Sequence, residues 1–281
     1  MESRKLDCEI VTPLFLAGSD VNEPELRPPS LKGVMRYWWR AVNSNLDLKA
    51  LSEKEASLFG TSKGEVGRSK FNLRIQTDSL DTITYPPTTK QFEFTGFKPG
   101  QNVSIYLTSY DSVENFKNIL QLSLLLGGLG RRSRRGFGSL QPSDMDLTLE
   151  EILNLINSVG SGKYSIKGPN IVLNHQMSGA TNYPYLKEVA IGKEYPSWKE
   201  LLNVIINAAH ECRKEDGNES LGFAADAEND RLASPVCVSI LKNSDEKFIP
   251  IISTLNTVFK KSSKTVNATI QEDFKNMILT G

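Results

Sequence analysis

The chain has 281 residues, with 33 Lys and Arg against 33 Asp and Glu, so its formal net charge is zero. Apolar residues make up 39% and charged residues 23%, which is ordinary globular composition and argues against a disordered chain or a uniformly basic nucleic-acid-binding protein. The chain has three cysteines and no C-x-x-C pair, which predicts a cytoplasmic protein. No apolar run is long enough for a membrane helix, so we predict no membrane partner.

The first half of the chain is predicted to run strand, helix, strand, strand, helix, strand. Pro28 and Pro29 cannot continue a helix backwards, and Ser30 is a favourable N-cap for the helix that follows. The order is that of the ferredoxin-like arrangement, an antiparallel sheet with helices on one face. Predicted strands cover residues 6–16, 71–76, 103–108 and 139–140, a turn covers residues 85–87, and predicted helices cover residues 30–45, 53–59, 112–126 and a segment after Thr148.

The second half repeats this order loosely. Predicted strands at residues 188–191, 234–241 and 248–254 alternate with predicted helices at residues 197–213 and 268–278. Residues 158–169 form the connector richest in Gly, Ser and Pro in the middle of the chain. We therefore predict an α+β fold with a first domain at residues 1–160 and a second at residues 161–281.

The predicted helix at residues 30–45 has an apolar face and a basic face. Lys32, Arg36 and Arg40 recur at every fourth position, where their like charges repel unless an anion lies against them. Two interpretations stay open. One is a phosphate-binding face, because Lys32 lies in the first turn where free N–H groups attract anions. The other is a solvated face that pairs with acidic residues, with Glu23, Glu25 and Asp47 as candidates.

A segment rich in glycine and arginine, residues 128–138, is the most distinctive feature of the sequence. Glycines allow close backbone approach to a ligand, arginines form paired hydrogen bonds with phosphate, and an aromatic ring stacks on bases. Together these residue types favour single-stranded RNA as the partner, against the alternative of a loop that contacts acidic protein. The segment contains Gly128, Gly130, Gly136 and Gly138, the arginines Arg131, Arg132, Arg134 and Arg135, and Phe137.

Other candidate site residues are few. Arg231 precedes a predicted strand, and it either contacts a ligand or pairs with the acidic residues at 226–230. The only histidines, His175 and His210, are too few for most zinc sites and acid–base systems. We therefore predict no metal ion, no cofactor and no catalytic residue.

Residues 128–138 match the pattern G-h-G-x5-G-h-G, with Leu129 and Phe137 at the hydrophobic positions. This is the glycine-rich signature of the RAMP superfamily of CRISPR-associated RNA-binding proteins, which the chain resembles. Three further blocks are similar to the branch that forms subunit one of type III-B (Cmr) effector complexes. They are TPLFLAG at residues 12–18, ELRPPSLKGVMRYWWR at residues 25–40 and RLASP at residues 231–235.

The resemblance implies two tandem ferredoxin-like, RRM-related domains and an RNA-binding subunit of a ribonucleoprotein. Its partners would be the 3′ region of a guide RNA, single-stranded target RNA and other subunits of the Cmr complex, and the chain would position RNA without cutting it. By position, Ser30, Lys32, Arg36 and Arg40 would hold backbone phosphate, while Arg131, Arg132, Arg134, Arg135 and Phe137 would lie along the RNA. Two alternatives stay open, namely a guide-processing endoribonuclease with His175 or His210 as acid or base, and a scaffold subunit whose basic loop docks acidic protein.

Overall fold

The computed structural model describes residues 1–20, 22–62, 67–88, 92–143, 145, 148–174, 183–216, 220–223, 231–258 and 266–281. The helices are α1 (Pro28–Val42), α2 (Leu48–Phe59), α3 (Val113–Leu126), α4 (Leu149–Val159), α5 (Trp198–Asp216) and α6 (Ala268–Thr280). The strands are β1 (Glu2–Ile10), β2 (Phe71–Gln76), β3 (Thr82–Tyr85), β4 (Phe94–Phe97), β5 (Asn102–Ser109), β6 (Leu140–Pro142), β7 (Tyr164–Lys167), β8 (Asn170–Leu173), β9 (Leu186–Ile191), β10 (Val236–Lys242) and β11 (Phe248–Leu255). The predicted α+β class is confirmed.

The first sheet has the strand order β2-β5-β1-β6 and is antiparallel throughout. With α1 and α3 as its two crossover helices, this is the predicted ferredoxin-like arrangement. Strand β1 ends at Ile10, although the sequence pattern predicted a strand to residue 16. The apolar residues after Ile10 leave the sheet because they pair elsewhere, as Leu14 does with Phe97 of β4.

Helix α1 begins at Pro28, two residues before the predicted start. Arg27 precedes it in an extended conformation, and the two prolines occupy the first helical positions, where a missing N–H costs nothing. The prediction that Ser30 caps this helix is therefore wrong. The predicted apolar face is buried, through Leu31, Met35, Trp38, Trp39 and Val42.

The second sheet has the strand order β10-β11-β9-β8-β7. Strands β9, β10 and β11 with helices α5 and α6 follow the predicted order. The hairpin β7–β8 was not predicted, and it pairs with β9 at the position that a fourth ferredoxin strand would take. The separate hairpin β3–β4 was also missed, because the prolines after Tyr85 favoured a turn there.

The predicted domain boundary lies in the connector between α4 and β7. Buried side chains on both sides of this connector, such as Ile156, Tyr164 and Leu186, belong to one hydrophobic cluster. The two sheets therefore share part of their core, and the division at residue 160 stays a prediction from composition.

A buried arginine links the segment after α3 to the second half of the chain. The Arg135 guanidinium donates hydrogen bonds of 3.0 Å to the carbonyl oxygens of Leu221 and Val236 and to the hydroxyl of Ser234, and it lies 4.8 Å from the ring centroid of Phe274. Burial, followed by repulsion from other arginines, lowers the pKa of Arg135 to about 9. The group is still charged at neutral pH, so its donors must be satisfied inside the protein.

We expect Arg135→Ala to lower the free energy of unfolding by about 3 kcal/mol, because it leaves buried carbonyl groups unpaired and opens a cavity beside Phe274. Urea denaturation followed by tryptophan fluorescence measures this change. The exposed Arg131, replaced by alanine as a control, is expected to change stability by less than about 0.5 kcal/mol. Equal stability of the two variants would contradict the role of Arg135 as a link.

Candidate nucleic-acid interface

Residues 128–138, hereafter the arginine loop, are fixed by backbone hydrogen bonds to both halves of the chain. The Arg131 N–H donates to the Phe15 carbonyl at 2.8 Å, and the Gly138 N–H donates to the Pro13 carbonyl at 3.0 Å. On the other side, the Gly136 N–H donates to the Val238 carbonyl of β10 at 2.8 Å. The loop is therefore a preorganised platform and not a flexible arm.

The glycines of the arginine loop serve its own closure. Gly136 has φ of 80° and Gly138 has φ of 68°, values in the left-handed region that favours glycine. A Cβ at Gly138 would collide with the Leu129 carbonyl, and one at Gly128 would collide with the Phe137 carbonyl. Gly130 is likewise at a positive φ against the backbone of Phe15. The close approach expected for a ligand is thus made by protein backbone, by the loop itself at Gly128 and Gly138 and by Phe15 at Gly130.

Two predicted RNA-contacting residues of the loop are buried instead. Phe137 has no exposed ring face, because it packs 5.3 Å from Phe15 and 6.1 Å from Tyr85, measured between ring centroids. Arg135 is committed to its buried acceptors. The predictions that Phe137 stacks on RNA and that Arg135 lies along it are therefore wrong, and both residues hold the loop in place.

Arg134 is partly buried and also has structural contacts. Its guanidinium donates to the Ser234 carbonyl and lies 5.0 Å from the ring centroid of Tyr37 on α1. On the α1 side, Arg134 borders a cavity of about 230 Å³ together with Ser30. The structure thus brings Ser30 close to the arginine loop, and the expectation that Ser30 holds phosphate stays a prediction.

The remaining arginines of the loop, Arg131 and Arg132, border a groove together with two arginines from distant parts of the sequence. Arg131 is exposed, with its guanidinium 5.0 Å from the ring centroid of Phe94, and Arg231 is exposed. With Arg132 and Arg213 of α5 they line a groove of about 1140 Å³, hereafter the arginine groove. None of its described lining residues is acidic. The prediction that Arg231 pairs with residues 226–230 falls on residues outside those described.

Sequence reasoning missed Arg213. It lies in the last turn of α5, where a basic residue is commonly explained by the helix dipole. The available signal was its spacing: His210, Arg213 and Lys214 share one helix face, since they are three and four positions apart. Burial lowers the pKa of Arg213, and burial followed by the charge of Arg213 lowers the pKa of Arg132. The two guanidinium groups therefore lie close enough to repel each other.

Two of the three basic residues on α1 share one acidic partner within the protein. Glu55 of α2 lies between Arg36, at 3.4 Å, and Arg40, at 3.1 Å. Arg36 also donates to the carbonyl oxygens of Phe59, at 2.9 Å, and Gly60, at 2.6 Å. The paired interpretation is correct for these two residues, but the partner is Glu55 and not one of the three acidic residues proposed. The expectation that Arg36 and Arg40 hold phosphate stays a prediction.

Lys32 behaves differently from the rest of that face. Its ammonium lies 4.9 Å from the ring centroid of Phe71, and burial, followed by the charge of Arg36, lowers its pKa. It borders a second groove of about 790 Å³ that also contains Arg68 and Lys70. Lys32 is therefore separated from the arginine groove, and the ten predicted site residues do not form one surface.

One of the two histidines proposed for alternative chemistry is among the described residues. His210 is exposed on α5, whereas His175 lies outside the described residues. Among the residues that the structure describes, no three His, Cys, Asp or Glu side chains are grouped so that they could hold a metal ion. The described helices also include none with the length and apolar character needed to cross a bilayer.

Comparison with known proteins matches residues 7–141 to the RAMP superfamily. The CRISPR system Cmr subunit Cmr1-2 of Pyrococcus furiosus is 30% identical over 176 residues, which cover 48% of this chain and 92% of that protein. Cmr subunit Cmr1-1 of the same organism is 31% identical over 173 residues, which cover 51% of this chain and 49% of that protein.

Solved structures share the fold over almost the whole chain. The apo crystal structure of Cmr1 from Pyrococcus furiosus matches with a TM-score of 0.62 and 19% identity, covering 98% of this chain and 97% of that one. A chain of Type III-B Cmr-beta bound to cognate target RNA, solved by cryo-EM, matches with a TM-score of 0.59 and 12% identity, covering 98% and 99%. These matches confirm the tandem ferredoxin-like fold. Because the match to Cmr1-2 covers nearly all of that protein at 30% identity, this chain belongs to the Cmr1 family of the RAMP superfamily.

Proposed function

We propose that this chain is an RNA-binding, non-catalytic subunit of a type III-B CRISPR ribonucleoprotein, where it positions the 3′ region of a guide RNA, a target RNA, or both. The observation that carries the proposal is the arginine groove. It collects four arginines that make no ion pair with any described residue, on a chain whose net charge is zero. The Cmr-beta structure that shares this fold is bound to cognate target RNA, which supports the same class of ligand here.

The groove suits a phosphate backbone better than an acidic protein surface. Arginine forks bind phosphate through two parallel hydrogen bonds, and a fixed backbone loses little entropy when a strand docks. Arg131 and Arg231 are exposed and face the same groove, so one strand can contact both. Because phosphate contacts carry no base identity, binding is expected to tolerate changes of RNA sequence.

The other loop residues are assigned a positioning role. Arg134 fastens the loop to Ser234 and Tyr37, and Arg135 fastens it to the segment before β10. Lys32, Arg36 and Arg68 border a second groove that can take another stretch of backbone phosphate, while Lys70 in the same groove is paired with Asp111 at 3.0 Å. The neighbouring Cmr subunits are proposed to continue the RNA path beyond this chain.

Replacing both Arg131 and Arg231 with alanine is expected to weaken binding of a labelled single-stranded RNA at least tenfold. The slope of log affinity against log salt is expected to become shallower by about 1.4, since each phosphate contact to a single strand contributes about 0.7. Fluorescence polarisation across a salt series measures both quantities, and duplex DNA is expected to bind more weakly than the single strand.

The matched control is Arg4→Ala with Arg74→Ala, which removes two exposed arginines from the first sheet, away from the groove. An unchanged affinity and slope for the groove variant would contradict the proposal. If that variant also failed to co-purify with neighbouring subunits while keeping its RNA affinity, the groove would be a protein-docking surface and the scaffold alternative would stand.

Incubation with labelled CRISPR-repeat RNA is expected to leave the RNA intact in wild type, His175→Ala and His210→Ala alike. His210 shares a cavity with Arg132, Arg135, Arg213 and Lys214, and no described carboxylate or second histidine borders that cavity to act as its acid or base partner. Denaturing gel electrophoresis reads out cleavage. Site-specific cuts that disappear in a histidine variant would show the processing endoribonuclease instead.

A further inference from the structure

The arginine groove continues on the other side of the arginine loop. A cavity of about 500 Å³, hereafter the α5 cavity, lies between the loop and α5. Arg132 and Arg213 border both the groove and this cavity, so the two spaces meet at this pair. The α5 cavity is also bordered by Phe92, His210 and Lys214.

Among the described residues, the Arg132–Arg213 pair has no counter-charge. Neither Arg132 nor Arg213 makes an ion pair with a described residue, and none of the described residues that border the α5 cavity is acidic. The Nε atom of Arg213 is buried and has no hydrogen-bond partner. Arg213 thus has an unpaired donor and lies beside Arg132, whose positive charge repels its own. An anion bound between the two guanidinium groups would stabilise both.

One neighbouring residue, Phe92, favours a nucleic acid as the source of that anion. Phe92 is one of the few large hydrophobic residues of the described chain that are exposed, with 38% of its surface accessible. It is therefore an accessible aromatic ring beside the arginines, the role that sequence reasoning assigned to the buried Phe137. An exposed ring next to a phosphate-binding pair is typical of single-strand readers, in which a base stacks while its phosphate is held.

We propose that one phosphate of a single-stranded RNA is bound between Arg132 and Arg213, that an adjacent base stacks on Phe92, and that the strand thereby crosses the arginine loop from the arginine groove into the α5 cavity. This inference rests on the proposed function. It adds the path of the strand across the arginine loop and a contact from the second half of the chain. Lys214 and His210 lie further along the same helix face. Lys214 is paired with Glu211 at 2.9 Å, so the principal charge comes from the arginine pair.

The test compares Arg213→Gln and Phe92→Leu with wild type in binding of a labelled single-stranded RNA. Arg213→Gln is expected to weaken binding at least fivefold and to make the salt slope shallower by about 0.7. Phe92→Leu is expected to weaken RNA binding at least threefold. Phe92→Tyr is expected to bind RNA like wild type, because tyrosine keeps the aromatic ring. Lys199→Gln, which removes an exposed charge from the start of the same helix, is the matched control and is expected to bind like wild type.

A second readout separates binding from folding. Because Arg213→Gln removes a repulsion, the melting temperature of the free protein is expected to stay the same or to rise, whereas a merely structural Arg213 would lower it. Ultraviolet crosslinking of bound RNA followed by peptide mass spectrometry is expected to find the peptide that contains Phe92.

The outcomes distinguish the inference from the function it rests on. If the Arg131 and Arg231 variant loses RNA but Arg213→Gln and Phe92→Leu bind normally, the path across the loop is wrong and the proposed function stands. If wild type binds no RNA but is stabilised against heat by inorganic phosphate, and Arg213→Gln abolishes that stabilisation, the pair binds a free phosphate and the RNA path is wrong. If wild type responds to neither ligand, both proposals fail.

Discussion

The arrangement of the basic surface depends on the burial of one charged group, Arg135. A guanidinium without a carboxylate partner is costly to remove from water, and here hydrogen bonds to Leu221, Ser234 and Val236 offset the cost. These acceptors lie far from the arginine loop in sequence. The hydrogen bonds therefore form only when the loop and the segment before β10 are docked, so the loop geometry is a consequence of joining the two halves of the chain.

This constraint divides neighbouring arginines into two classes. Arg134 and Arg135 point inward and fix the loop, while Arg131 and Arg132 are left on the side of the groove. Arg132 itself adopts φ of 61°, a conformation that costs a non-glycine residue about 1 kcal/mol. The loop keeps this strain because the backbone on each side of it is fixed by hydrogen bonds to Phe15 and Val238. The fixed backbone thus holds Arg131 and Arg132 on one side of the loop, whereas a flexible loop would let their charges move.

Much of the fold could be predicted from the sequence because periodicity and end signals are local. The apolar face of α1, the Ser112 cap of α3 and the capping box of Thr148 each depend on a few adjacent residues. The site could be predicted only in outline. Whether an arginine side chain is buried or exposed depends on hydrogen-bond acceptors that are distant in sequence. The sequence alone therefore could not distinguish the buried Arg135 from the exposed Arg131. For the same reason the sequence pattern did not identify Glu55 as the partner of the α1 basic face, and the spacing of Arg213 on α5 did not show that it lies beside the arginine loop.

The neutral net charge of the chain has a consequence for how such a surface functions. With positive and negative residues balanced overall, the attraction for RNA that we propose would come from the arginine groove and its margins and not from the whole molecule. About four phosphate contacts give a salt slope near −3, which corresponds to modest affinity at physiological ionic strength. Modest affinity suits a subunit that acts inside an assembly, where neighbouring subunits hold the same strand and raise its effective concentration at the groove. In such an assembly a fixed loop contributes more than additional charge would. Neighbouring subunits already hold the RNA strand near the groove, and the loop has only to set the path of the strand.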